Sequence, residues 1–128
     1  MSISFEEIVL VEPEYLRVTT VGRYEFDELF GFLERVKVES MKAQRDKILI
    51  DSRRLEGHMT EAERFQAGMK VADVFGSRLK VAVLMPPGGI TKLGELTAVN
   101  RGARFLVTTA EDEGLRWLLA GITEQSRN

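Results

Sequence analysis

The sequence predicts an α/β domain: a mixed sheet of about five strands and about four helices, in the order ββαβαβαβα. Three observations predict it. Two short β-branched segments flank a proline turn at the start of the chain. After them, segments with helical apolar spacing alternate with short runs that are apolar on both faces. Strand and helix alternating in this way imply parallel crossovers, with one antiparallel edge strand from the opening hairpin.

The hairpin comes from Ile8-Val9-Leu10-Val11 and Leu16-Arg17-Val18-Thr19-Thr20-Val21, with Glu12-Pro13-Glu14 as the turn. Leu16, Val18 and Thr20 share one face of the second strand, and Arg17 and Thr19 take the other, half-solvated one. The first helix is expected over Asp27–Ala43, with Phe26, Leu29, Phe30, Leu33 and Val36 at helical spacing and Asp27 and Glu28 in the acidic first turn. Gln44-Arg45-Asp46 ends it. Lys47–Asp51 reads as a short buried strand ending at the aspartate. Thr60-Glu61-Ala62-Glu63 is a capping box that opens a second helix to Phe75, with Ala62, Phe65, Met69 and Ala72 as its apolar stripe and Gly76 as its stop. Lys80–Met85 is the next strand, broken by Pro86-Pro87-Gly88-Gly89. A third helix spans Lys92–Arg101 before Gly102, and Arg104–Val107 is the last strand. Thr109-Ala110-Glu111-Asp112 starts a fourth helix, with Leu115, Leu118 and Leu119 on one side. It is expected to stop at Gly121, leaving Glu124–Asn128 as a polar, frayed tail.

Composition bounds the function more tightly than it names it. The chain has 128 residues, the size of one domain, with 44% hydrophobic and 30% charged residues, a globular mix. The 18 basic and 20 acidic residues nearly balance, so no bulk charge favours nucleic acid or an anionic membrane. Cysteine is absent and His58 is the single histidine, which excludes disulfides, thiolate catalysis and zinc held by cysteines or by several histidines. The start lacks a basic region followed by an apolar one, and no apolar run approaches the roughly 20 residues of a membrane span. A cytoplasmic protein with no cofactor and no metal is expected.

Few residues offer chemistry. His58 follows Gly57 in the loop after the third strand, near Asp51, Arg53 and Arg54. The carboxyl end of a parallel strand is where a general base would sit, but nothing in the spacing pairs His58 with a nucleophile or a second acid. Asp51 is expected to accept loop amides while the arginines stay wet. Gly89 or Thr91 could present amides to an anion, although the segment lacks the Lys-Ser/Thr of a phosphate loop. Glu95 and Asn100 lie about 140° apart on the third helix and do not share a face. Asn100 and Arg101 are expected to cap that helix first and to bind an anion second. Trp117 is expected in the core or at an interface.

Four stretches carry a resemblance: Tyr15-Leu16-Arg17-Val18 through Gly22-Arg23-Tyr24, Ile48-Leu49-Ile50-Asp51 with Leu55-Glu56-Gly57, Glu95 to Gly102, and Gly114-Leu115-Arg116-Trp117-Leu118. In these the chain resembles the SpoIIAA-like family, relatives of the STAS domains (sulfate transporter and anti-sigma factor antagonist). The resemblance implies a SpoIIAA-like α/β fold, shared with CRAL-TRIO lipid-transfer domains, and non-enzymatic relatives that bind proteins, nucleotides or lipids. It also implies a phosphorylatable serine in an Asp-Ser-Ser-Gly-type segment. Here that place reads Gly57-His58-Met59-Thr60-Glu61. Thr60 is the one hydroxyl there and the candidate phosphorylation site, and the phosphoswitch does not carry over. The chain is also shorter than the large gated cavity of a full CRAL-TRIO domain requires.

The leading expectation is therefore a non-catalytic binding or regulatory module that self-associates. The alternative is a small carrier of an apolar or anionic ligand at the carboxyl ends of the strands, in the manner of CRAL-TRIO lipid binding. An enzyme using His58 or Asp51 ranks last. His58, Arg53, Arg54, Glu95, Asn100, Arg101 and Trp117 are the candidate ligand or partner contacts. With strands in sequential order, Ile48, Ile50, Val81, Val83, Phe105 and Val107 face the connecting helices. Leu49, Ala82, Leu84 and Leu106, joined by Val9 and Val11, are left on the other face. A fourth helix ending at Gly121 covers only part of that patch, and a homodimer with Trp117 near its contact is the expected cover.

Overall fold

The computed structural model describes residues 5–87 and 92–126, with backbone alone for 121–126. In chain order the elements are β1 (Phe5–Val11), β2 (Leu16–Arg23), α1 (Phe26–Ala43), β3 (Lys47–Glu56), α2 (Glu61–Phe75), β4 (Lys80–Leu84), α3 (Leu93–Asn100), β5 (Arg104–Thr108) and α4 (Glu111–Ser126). The sheet runs β1-β2-β3-β4-β5, with β1 antiparallel to β2 and every other pair parallel. Order and connectivity agree with the sequence-based expectation. Among the described residues no helix is long and apolar enough to cross a membrane.

Register explains the layers. Leu16, Ile48, Val81 and Phe105 form one row across the sheet, and Val18, Ile50, Val83 and Val107 form the next row on the same face. Three crossovers of one hand in a sequential sheet place α1, α2 and α3 over that face. Phe32, Leu33 and Val36 of α1, Val71, Val74 and Phe75 of α2, and Ala98 of α3 close the main core there. The alternate rows, Arg17-Leu49-Ala82-Leu106 and Thr19-Asp51-Leu84-Thr108, point the other way.

Several details differ from expectation. β3 continues to Glu56, because a register shift between Thr19 and Val21 lets Arg54, Leu55 and Glu56 pair with the end of β2. Asp51 is thus inside a strand. Helix α2 turns Gly68, Val71, Val74 and Phe75 inward, while Phe65 and Met69 of the expected stripe are 42% and 41% exposed. In α1 the same frame error passed over Phe32, which is buried edge-to-face against Phe5. Helix α4 runs past Gly121 to Ser126, since one helical glycine costs only about 1 kcal/mol. It folds back over the second face, where Leu118 packs with Leu49, Ala82 and Leu84, and all four are fully buried. The patch assigned to a second subunit is thus largely covered from within the chain. Val9 packs against the main core on the opposite face from the one expected, and Val11 is exposed.

Candidate functional site

The parallel strands end at one edge of the sheet, and α1, α2 and α3 begin there. Between that edge and the three helices lies a cavity of about 190 Å³. Its floor is Ile50, Val83, Phe105 and Val107. Leu29, Phe32 and Leu33 of α1 and Ala67, Gly68 and Val71 of α2 wall it. The exposed residues Gly57, His58 and Pro87 are also part of its lining, so it opens to solvent beside them. On one side α2 and α3 nearly touch: a β-carbon on Gly68 would lie 2.5 Å from the Gly94 carbonyl oxygen and 2.8 Å from Thr97 Cβ.

Among the described residues, four ionisable side chains line the cavity: Tyr24, His58, Arg64 and Glu95. Glu95 accepts the Val107 N–H at 2.7 Å and pairs with Lys92 at 3.2 Å. The Tyr24 hydroxyl donates to Glu63 at 3.3 Å, and burial, reinforced by that carboxylate, pushes its pKa up. Glu63 also accepts the Thr60 N–H at 3.0 Å, and the Thr60 hydroxyl accepts the Glu63 N–H at 3.1 Å, which is the capping box expected from the sequence. Arg64 stands apart from the others. Its side chain is 13% exposed, its Nε is buried with no hydrogen-bond partner, and Glu61 is 3.4 Å away. Chemically, the cavity offers an apolar body site with one cation and one imidazole. His58 contacts no nucleophile and no second acid among the described residues.

Asp51 belongs to the opposite face, where it is 5% exposed. It accepts from Arg53 at 2.9 and 2.8 Å and from Arg17 at 3.0 Å, and Glu111 accepts from both arginines at 2.9 Å. The bonds from Arg53 hold the Asp51 carboxyl below the usual range, and those from Arg17 do the same for Glu111. This four-membered cluster ties the first turn of α4 to β2 and β3. Of the two arginines expected to stay solvated, Arg53 is both exposed and paired, and Arg54 is exposed.

The remaining candidates scatter. Arg54 is exposed on β3, and Asn100 is exposed at the end of α3. At the end of α3 the Ala98 carbonyl accepts the backbone N–H groups of Arg101 and Ala103, and the Val99 carbonyl accepts that of Gly102. The Arg101 guanidinium instead lies 5.6 Å from the centre of the Phe65 ring, on the outside of α2. Trp117 sits midway along α4, half-buried beside the Leu118 cluster, with Lys80 Nζ 4.6 Å from its ring centre and donating to its carbonyl at 2.6 Å. Gly89 and Thr91 lie outside the described residues. The structure thus brings His58 and Glu95 to one cavity and separates them from Arg53, Arg101 and Trp117. Sequence reasoning missed Arg64, Gly68 and the Arg17–Glu111 pairing. A glycine inside a helical segment is a signal of close packing, and Gly68 carried it.

No family model matches the chain, and no curated protein sequence matches it either. Among solved structures it is similar to an anti-sigma factor antagonist from Mycobacterium paratuberculosis, with a TM-score of 0.61, 13% identity, and coverage of 90% of this chain and 94% of that one. It is also similar to the anti-sigma factor antagonist SpoIIAA in its unphosphorylated form, with a TM-score of 0.54, 12% identity, and coverage of 88% and 93%. The fold is SpoIIAA-like, as the sequence resemblance implied.

Proposed function

We propose that this chain is a non-catalytic binding module of the regulatory kind, and that it takes a small, mainly apolar molecule in the cavity at the carboxyl ends of its strands. The observation that carries this reading is the cavity itself: a mostly hydrocarbon lining and an opening beside His58. The fold likeness to anti-sigma factor antagonists supports a regulatory rather than catalytic role. The test is the melting temperature with toluene near saturation. A ligand that binds the folded state raises it by mass action. A rise in the native chain that disappears in Val83→Phe, which fills the floor, supports the reading. No rise in either protein contradicts it.

A second reading rests on a different surface. Phe65 and Met69 are one turn apart on the outside of α2, and Leu96 and Val99 are exposed on the adjoining α3. Apolar side chains on the outward side of two packed helices suit a protein partner, the kind of partner an antagonist acts on. Thr60, exposed at the start of α2, remains the proposed phosphorylation site, although Glu61 and Glu63 oppose a phosphate there. For self-association the edge strand offers Ile8 and Leu10, which are 54% and 53% exposed. Sedimentation of Phe65→Glu and Ile8→Glu variants, alone and with a captured partner, separates the two surfaces.

A further inference from the structure

We infer that the occupant of the cavity is a small carboxylic acid with one compact apolar body, its carboxylate paired with Arg64. The inference rests on the ligand reading above and adds the chemistry of the head group and the size of the body.

Size comes first. An apolar cavity of about 150 Å³ takes up benzene, whose body is six carbons. At 190 Å³ the present cavity suits a body of roughly seven or eight non-hydrogen atoms, an aromatic ring or a branched short acyl group. A long acyl chain exceeds it.

Charge follows from what the lining leaves unmatched. Glu95 is committed to Val107 and Lys92, and Tyr24 to Glu63. Arg64 is the cation of the lining, and its Nε is a buried donor with no acceptor. Glu61 is near enough for charge compensation but makes no hydrogen bond to that Nε, and its own side chain is 65% exposed. Buried polar groups are nearly always hydrogen-bonded, so an orphaned guanidinium N–H beside an apolar cavity needs an explanation. A ligand carboxylate, met by a turn of the Arg64 side chain into the cavity, supplies the hydrogen-bond acceptor that Glu61 at 3.4 Å does not, and such charge-assisted bonds are about twice as strong as neutral ones. The α2 amino terminus, one turn before Arg64, adds favourable potential for an anion.

The test is calorimetric titration of the full chain at pH 7 with benzoate, methyl benzoate and toluene, on the native protein, Arg64→Met and Arg64→Lys. The inference expects the ratio of benzoate to methyl benzoate affinity to fall at least tenfold in Arg64→Met and to recover in part in Arg64→Lys. Methyl benzoate affinity should hold in both variants, which shows that the cavity is intact. If Arg64→Met does not fold, Arg64→Lys carries the comparison, with a several-fold fall expected as the planar fork is lost. Toluene and methyl benzoate binding without any change of the ratio overturns the carboxylate and leaves the cavity reading standing. Failure of all three probes to bind overturns both.

Discussion

Gly68 and Gly94 hold α2 and α3 closer than any side chain between them would allow. A β-carbon on Gly68 would meet the Gly94 carbonyl oxygen at 2.5 Å, a distance at which backbone must move. Alanine there gains about 1 kcal/mol of helix propensity and loses more to overpacking, typically about 1–3 kcal/mol. Gly68→Ala is therefore expected to lower stability or leave it level, and to weaken toluene binding because the wall of the cavity shifts. Chemical denaturation and a toluene titration check both parts. A variant clearly more stable than the native chain would show that the approach is not tight.

Thr60→Ala removes the acceptor of the Glu63 N–H and one half of the capping box. The expected loss is about 1 kcal/mol. Urea denaturation reads it, and an unchanged midpoint would contradict the role of the box.

Asp51→Asn leaves Arg17 and Arg53 facing a neutral amide. Removing one partner of a fully buried ion pair costs about 3–5 kcal/mol, and the partial exposure of both arginines brings the expectation nearer 2 kcal/mol. The sign with pH follows from the depressed carboxyls of Asp51 and Glu111. Their stabilisation is complete above the unfolded-state values near about 4 and is lost as pH falls through the lower folded-state values. The gap in melting temperature between the native chain and Asp51→Asn should therefore narrow below about pH 4. A gap that stays constant from pH 7 to pH 3 would mean that Asp51 acts by packing alone.

Leu118 covers Leu49, Ala82 and Leu84 on the face away from the cavity. Leu118→Ala is expected to cost about 2–5 kcal/mol, to expose dye-binding apolar surface, and to leave toluene affinity unchanged. If the variant stays stable and binds no dye, α4 is not the cover this account makes it.

The sheet was legible because its signals are local. β-branched runs, the proline turn and the alternation of two periods name the strands, and sequential order then sorts Ile48 and Ile50 from Leu49 without further information. The helix faces were less legible. In α2 the spacing of Phe65 and Met69 fits an apolar stripe as well as that of Val71, Val74 and Phe75, and burial is decided by how Gly68 seats the helix on α3. The end of α4 was misplaced because Gly121 reads as a stop, while nothing after it forbids a helix. Of the site, His58 and Glu95 were found from their positions after a strand and on a short helix. Arg64 was not, because its burial depends on how closely α3 packs beside it at Gly94. Arg17, Asp51, Arg53 and Glu111 come together across up to 94 residues of chain, and no spacing rule reaches that far.

The central claim is that the cavity takes an apolar ligand. A methyl-resolved NMR titration of the full chain with toluene tests it most directly. Saturable shifts at the methyl groups of Leu33, Ile50, Val71 and Val83, with Leu49, Leu84 and Leu118 on the opposite face unmoved, are the result this account predicts. Shifts confined to exposed Met69 and Leu96, or no saturable shift at any methyl group, would contradict it.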